Sequence, residues 1–428
     1  MIAPILFFYN LAWAAALPFL RRHPRLGPGW AERTLQSGPT GPFDLWVQAA
    51  SGGEAQLVNM IIEQLAPMVK PGRPITVLAT ATTPQGVDSL AKAAKTRPAT
   101  PVEVSVAHFP FDQPSLMARA FARYAPRLAV VVETELWPAF LVTARRRQVP
   151  VLLVNGRMSE KSHRSYRRFA AFFRHYGPQA IRAISPADAA RFQSVCGRAD
   201  IAVMNNIKFD RITPPALAPA ATPMRSLLPA AAPMVLLGSV RREEEELLLP
   251  TVVALLERRP DIVIALFPKH IERAEAWCRL LADQGLRAVR RSLAEGPQPP
   301  GSVIVWDVFG ELAGAYALAA ATFVGGSLLP LGGQNFLEPL VFGLRPVIGP
   351  YWKNFAWVGR DIIDCGLVSE VADASALTAS LLAALDEDSP RDLVRARVHD
   401  FFRPRQGGTR QACQLILDNL HPPRGTSP

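Results

Sequence analysis

The sequence predicts an α/β fold: two similar-sized halves, each a parallel sheet wound with helices on both faces, behind an apolar N-terminal helix. Three observations predict it. At about 100 to 200 residues per domain, 428 residues imply two or three domains with a full core in each. Short apolar runs alternate with helix-length segments along most of the chain, as strands buried on both faces require. A stretch rich in Pro and Ala over 213–233 divides that series in two.

Composition narrows the function classes. The chain is 49% hydrophobic and 19% charged, too apolar for disorder, yet it lacks the many long apolar runs of a multi-span transporter. Lys and Arg number 47 against 36 Asp and Glu, and the net charge of +11 favours anionic partners such as phosphates or acidic lipid head groups. Nucleic acid is not among them, because the basic residues are not interleaved with aromatic stacking platforms. Cys196, Cys278, Cys365 and Cys413 lie far apart and fit no metal-ligand spacing, which predicts a reduced cytosolic chain without a disulfide framework.

The first element spans Ile2 to Leu20, IAPILFFYNLAWAAALPFL, uncharged and nearly long enough at helical rise to match the hydrocarbon thickness. Arg21, Arg22, His23 and Arg25 follow it. A secretory signal would carry its positive charge before the apolar run, so export is not expected and the bulk of the chain stays cytoplasmic. Pro4, Asn10 and Pro18 interrupt the segment, leaving a single-pass anchor and a helix lying in the membrane interface both open, with an ordinary buried first helix as the third reading. Residues 1–30 are assigned to this segment and 31–212 to the first α/β half. Its strands are read from LWVQAA, PITVLAT, RLAVVVE, VPVLLVNG and AIRAIS, with a last run near Ile201 to Val203. The second half, 234–395, is read from PMVLLGS, DIVIALFP, SVIVWD, AATFVGGS and LRPVIGP. Leu377 to Leu420 supplies closing helices, and 396–428 is expected to form the closing helix and tail.

Ligands of such sheets sit beyond the carboxyl ends of the strands, so chemistry is sought there. After the first strand, Ser51, Gly52, Gly53 and Glu54 offer backbone N–H groups beside one carboxylate; Ser51 with Glu54 three residues on also reads as a capping box. Thr80, Thr82 and Thr83 end the second strand before Pro84. Glu133 and Glu135 follow a buried strand, where carboxylates are costly unless they meet a cation or polar ligand. Arg157, Lys161, Arg164, Arg167 and Arg168 make either a solvated helix face or a floor for an anionic substrate.

In the second half, LLGSVRREEEE is expected to open a helix after Gly238 and Ser239, so that first-turn N–H groups and Arg241 hold a phosphate; the glutamates favour the same N-terminus electrostatically and compete as an explanation. Pro268, Lys269 and His270 close the next strand. In FVGGSLLPLGGQNFLEP, the pairs Gly325-Gly326 and Gly332-Gly333 flank a loop before a helical start with Asn335 and Glu338, where a ligand can approach the backbone and a carboxylate can accept from ribose hydroxyls. No Gly-x-x-x-x-Gly-Lys-Ser/Thr sequence occurs, which argues against a P-loop nucleotidase.

Taken together, Ser51-Gly52-Gly53-Glu54, Thr82-Thr83-Pro84, Glu133-Thr134-Glu135-Leu136-Trp137-Pro138, Asn155-Gly156-Arg157-Met158-Ser159 with Lys161-Ser162, Lys208-Phe209-Asp210, Gly310-Glu311-Leu312, Gly325-Gly326-Ser327, Gly332-Gly333-Gln334-Asn335 through Leu337-Glu338-Pro339, and Gly349-Pro350 with Asn354-Phe355 resemble the 3-deoxy-D-manno-octulosonic acid (Kdo) transferase family. The resemblance covers nearly the whole chain. It implies a GT-B glycosyltransferase with two Rossmann-like domains facing across a cleft, a membrane-associated N-terminus on the cytoplasmic side of the inner membrane, CMP-Kdo as donor and a lipid A precursor as acceptor. It implies inverting transfer with Glu54 as base and no metal or other cofactor. Ser239, Arg241, Pro268, Lys269, the Gly310-Glu311-Leu312 loop, Gly326, Ser327, Gly333, Asn335 and Glu338 would hold the donor, Glu338 at the ribose. Ser51, Gly53, Thr82, Glu133, Glu135, Arg157, Ser159 and Lys161 would meet the acceptor or the donor sugar, and anionic lipids of the inner membrane would be partners.

Three positions depart from the family pattern. Gln334 stands where His is usual, Gln48 replaces a His before the Ser-x-Gly-Glu element, and Val240-Arg241 stands where Thr-His or Arg-His is common. All three are expected at the cleft, and amides hydrogen-bond there without exchanging a proton near neutrality. Donor contacts, acceptor choice or the number of sugars added are where a difference is expected. A related GT-B enzyme with another nucleotide-sugar donor, or a catalytically impaired paralogue, are the alternative readings.

Overall fold

The computed structural model describes residues 2–24, 26–70, 72–212, 223–229, 232–387 and 390–420. Most of the expected linker, at 213–222 and 230–231, lies outside them, as do Arg25 and the tail beyond Leu420. The chain forms two compact units: one holds the described residues up to Arg211 and those from Arg405 onward, and the other runs from Ile212 to Pro404.

In the first unit the strands are β1 (Leu45–Ala49), β2 (Ile75–Ala81), β3 (Val102–His108), β4 (Leu128–Val132), β5 (Val151–Gly156), β6 (Ala180–Ala183) and β7 (Asp200–Val203). Among the described residues they form one parallel sheet in the order β3-β2-β1-β4-β5-β6-β7. Trp46, Phe121, Tyr124 and Phe140 fill one face, and Val47, Val58, Ile61 and Val130 fill the other. Strand order reverses between β1 and β4, so the loops after these two strands open on the same crevice.

The first helix, Ile2–Leu20, lies against this unit. Tyr9, Trp13, Leu17 and Leu20 pack on its core, and the Tyr9 hydroxyl donates to Asp112 Oδ2 at 3.0 Å. Ile5, Phe7, Phe8, Leu11 and Phe19 remain more than half exposed. No helix among the described residues is long and apolar enough to cross a membrane.

The expected closing segment is divided between the units. The helix Arg391–Phe402 belongs to the second, whereas Gly408–Leu420 returns to the first. The reason is its apolar stripe: Ala412, Cys413, Ile416 and Leu420 recur at helical spacing and pack beside Val58 and Ile61 of the helix Gly52–Leu65. Asp210 fixes its start by accepting from the Gly407 and Thr409 N–H groups at 2.6 and 2.7 Å.

The second unit repeats the scheme with β8 (Met234–Val240), β9 (Val263–Pro268), β10 (Arg287–Arg290), β11 (Ser302–Val305), β12 (Ala321–Val324), β13 (Pro346–Ile348) and β14 (Ser369–Glu370). The parallel order is β10-β11-β9-β8-β12-β13-β14, which puts the reversal between β8 and β12. Leu237, Val252, Ile264, Trp277 and Phe323 form the core on one face; on the other, Phe267 and Trp306 stack at 4.3 Å near Tyr316.

Candidate active site

In the first unit, both loops at the strand-order reversal carry carboxylates. β1 ends at Ala49, and the helix Gly52–Leu65 starts from Ser51, whose hydroxyl accepts from the Glu54 N–H at 3.5 Å. The Glu54 carboxylate turns back, accepting from the Ala50 N–H at 2.6 Å and from the Ser51 hydroxyl at 3.3 Å. A helix-start cap therefore forms, but with the acid folded over the strand end instead of extended into water. Burial pushes the Glu54 pKa up to about 7, and the charges of Glu133 and Glu135 add to the rise while the Ala50 and Ser51 hydrogen bonds oppose it. A carboxylate that titrates near neutrality is suited to general-base work.

Glu133 and Glu135 come from the loop after β4. Glu133 adopts a left-handed backbone, φ 63°, and its Oε1 meets Lys208 Nζ at 2.7 Å. Two other residues at strand ends, Asn155 at φ 54° and Ser239 at φ 54°, share that strained conformation, which clusters at sites where geometry is held by the surrounding fold. Burial, with Glu133 adding, pushes the Glu135 pKa up as well. The sequence reading named the acids but gave Lys208 no role; the Lys208-Phe209-Asp210 motif was the available signal, joining Glu133 to the anchor of the last helix.

Thr82, after β2, accepts from Gln48 Nε2 at 3.0 Å, and its carbonyl accepts from the Arg33 guanidinium at 2.6 Å. Gln48 is 1% exposed and also accepts from the Thr80 hydroxyl at 2.6 Å. Gln48, expected at the cleft, is instead enclosed, with its amide engaged in tying the ends of β1 and β2 together. Arg157 and Lys161 are exposed, and the Arg157 carbonyl accepts from the Thr134 hydroxyl. Ser159 is exposed as well and caps the helix Glu160–Arg167 by accepting from the Ser162 N–H at 3.1 Å. Gly53 is exposed in the first turn beside Glu54.

The second unit departs most from expectation at its glycine loop. Glu244 is fully buried, and its two oxygens accept from the N–H groups of Gly326, Ser327 and Leu328 at 2.6, 2.9 and 3.0 Å. The Ser327 hydroxyl donates to the Val324 carbonyl at 2.7 Å and accepts from the Gly349 N–H at 2.9 Å. An intramolecular carboxylate thus occupies the N–H groups of this loop, so Gly326 and Ser327, expected to hold the donor, shape the loop and have no N–H left for it. The helix expected after Gly238 begins later, because β8 continues through Val240 and only then passes through the turn Arg242–Glu244 into the helix Glu245–Arg258. Gly333 is no helix start either: its N–H donates to the Gly326 carbonyl at 2.7 Å, and Asn335 Oδ1 accepts from the Leu337 N–H at 3.2 Å.

Other donor candidates keep chemical capacity. Arg241 is paired with Glu243 at 3.2 Å yet partly exposed, while Lys269 stands exposed after the buried Pro268, its N–H held by the Val240 carbonyl at 2.8 Å. Glu311 is engaged by Arg291 at 2.9 and 3.1 Å and by the Trp306 indole N–H at 2.8 Å, so its carboxylate fixes the loop. That leaves Gly310, at φ 87° with open space around it, and the half-buried Leu312 to face a ligand. Glu338 lies close enough to Tyr316 for its charge to help raise that phenol's pKa, after burial, and Gly238 meets the same Tyr316. A cavity of about 420 Å³ beside Gly332 and Pro350 is lined by Tyr351, Trp352, Lys353 and Arg360, none of which the sequence reading singled out.

Comparison with known proteins places this architecture. A family model described as 3-Deoxy-D-manno-octulosonic-acid transferase (kdotransferase) matches residues 24–211. A 3-deoxy-D-manno-octulosonic acid transferase from Bordetella pertussis is 30% identical over 434 residues, covering 96% of this chain and 99% of its own. The chain belongs to the 3-deoxy-D-manno-octulosonic acid transferase family. A second member, from Haemophilus influenzae, is 29% identical and covers 89% of this chain and 87% of its own. The fold agrees: a glycosyltransferase from Rickettsia africae superposes with a TM-score of 0.53 at 13% identity, covering 89% of this chain and all of that one. Anabaena HepE in complex with UDP does so with a TM-score of 0.52 at 14% identity, covering 88% and 98%. As a Kdo transferase, the chain is a glycosyltransferase with two parallel-sheet α/β units of GT-B type.

Proposed function

We propose that this Kdo transferase is an inverting enzyme that moves Kdo from CMP-Kdo to a lipid A precursor at the cytoplasmic face of the inner membrane. The observation that carries the reading is Glu54, a half-buried carboxylate with pKa raised to about 7 and held by Ala50 and Ser51 at the strand-order reversal of the first unit. Ionised, it takes the proton of an acceptor hydroxyl while that oxygen bonds to the anomeric carbon of Kdo; the anomeric carbon–oxygen bond to phosphate breaks on the opposite side, and CMP leaves with the electron pair. Arg241 and Lys269 offset the charge developing on the departing phosphate. Glu338 accepts from the ribose hydroxyls, and the open Gly310 loop receives the base. Arg157, Ser159 and Lys161 meet acidic groups of the sugars.

The membrane part of the reading is supported by the first helix, which packs one side on the core and leaves Ile5, Phe7, Phe8, Leu11 and Phe19 exposed. Such a helix lies in the interface, with Arg21 and Arg22 next to anionic head groups. The test is incubation of purified protein with CMP-Kdo and a tetraacylated lipid A precursor, followed by mass spectrometry of the lipid. A gain of one or more Kdo residues is expected. A lipid that gains no mass from CMP-Kdo but is modified from another nucleotide sugar would overturn the donor assignment.

A further inference from the structure

The first unit carries a groove of about 1000 Å³, at the upper end of the roughly 300–1,000 Å³ of small-molecule sites. Ile5 and Leu6 of the first helix line one side, and Phe169, Phe172 and Tyr176 line another, with Trp137 between. Phe169 and Ile5 are 63% and 66% exposed, so the walls present apolar surface that water solvates poorly. Thr134 and Glu135 also line the groove, and they belong to the loop that carries Glu133 after β4. The groove therefore includes Glu135, one of the two carboxylates whose charge acts on Glu54. The helix next to the groove, Glu160–Arg167, bears exposed Lys161, Arg164 and Arg167, with Arg168 following.

We infer that this groove seats an acyl chain of the acceptor, holding the glycolipid by its tail while a sugar hydroxyl faces Glu54 and its phosphates face the basic helix. The inference rests on the reading of the acceptor as an acylated, phosphorylated disaccharide. What favours that occupant over a bilayer lipid is continuity with the reaction site: one molecule must present an apolar chain, an anionic head and a reacting hydroxyl in adjoining places. The groove then sets acceptor selectivity, because burying each methylene strengthens binding of the acylated acceptor and adds nothing for its deacylated counterpart.

The test fills or charges the groove without touching the proposed base. Ala171→Trp places an indole where Ala171 lines the groove, and Phe169→Asp places a charge there. Calorimetry with the full-length protein in detergent compares a tetraacylated disaccharide bisphosphate with the same disaccharide fully deacylated; an unaltered urea-unfolding transition reports that the first unit of each variant is folded, and CMP affinity reports the same for the second. The acylated acceptor is expected to bind the unaltered protein at least tenfold more tightly than the deacylated one. Both variants should collapse that ratio, for binding and for kcat/KM, with CMP affinity retained. Equal affinity for the two acceptors, an unchanged ratio in both folded variants, or equal competition by phosphatidylglycerol vesicles would overturn the inference. Preferential binding of the acylated acceptor that the variants abolish, without Kdo transfer by the unaltered protein, would leave the groove standing and remove the proposed function instead.

Discussion

Lys208 Nζ and Glu133 Oε1 lie 2.7 Å apart, although 75 residues separate them in sequence. The pair sets the charge balance around Glu54, since it neutralises one of two acids that push the Glu54 pKa upward. Lys208→Met removes the cation and leaves the negative charge of Glu133 uncompensated. The base then holds its proton more tightly, and the acidic limb of the kcat/KM profile should move to higher pH by about 0.5 to 1 unit. A pH-rate series on the two proteins checks this; an unmoved limb would show that Glu133 and Glu54 are not coupled.

Glu244 gives a prediction about stability. Removing its carboxylate in Glu244→Ala leaves the Gly326, Ser327 and Leu328 N–H groups buried without an acceptor. At about 1 to 3 kcal/mol for each unsatisfied group, partly relieved by water, a loss on the order of 3 kcal/mol or more is expected in denaturant titration. A variant as stable as the parent would show that this loop rearranges and that its N–H groups are available to a ligand.

The nucleotide gives a third. Glu338→Ala should weaken CMP binding by about 1 to 3 kcal/mol, because ribose hydroxyls lose a charged acceptor. Unaltered affinity in calorimetry would move the ribose to other residues.

Part of this site was legible because strands buried on both faces carry few charged residues until they end. LWVQAA and RLAVVVE put Glu54 and Glu133 just beyond strand ends, although Ser51 and Glu54 also read as a helix cap and the role of base came only with the family resemblance; the reversal of strand order between β1 and β4 makes those ends neighbours. The edge strands β3, β10 and β14 were not read, since VEVSVAH, RAVR and SE face solvent on one side and lack a continuous apolar run. The fate of Glu244 was hidden for another reason. A glutamate early in a helix reads as a favourable dipole partner, and nothing local shows that it reaches an N–H nest 82 residues away. Likewise Gln48 was weighed as a lost histidine, whereas its surroundings of Thr80, Thr82 and Ala49 make it a buried connector.

Stability should also register the strain of the base. The folded pKa of Glu54, about 7, lies above its ordinary 4.5, so between these values the native state binds more protons than the unfolded chain. Stability owed to this group is therefore highest at acid pH and falls as pH rises through that window. Glu54→Gln removes the titration and should be more stable than the parent at pH 8, by about 1 to 3 kcal/mol, with the difference shrinking toward pH 4. Urea titrations at the two pH values check the sign.

The same substitution, read kinetically, is the most direct test of the proposed chemistry. Glu54→Gln retains an oxygen for the Ala50 N–H but cannot accept a proton, so single-turnover transfer from CMP-Kdo should fall by roughly 100-fold or more, and the rise in rate through about pH 7 should disappear. CMP affinity measured alongside should stay nearly unchanged. Transfer at close to the parent rate, with the rise through neutral pH intact, would contradict the assignment and leave Glu54 as the cap of its helix alone.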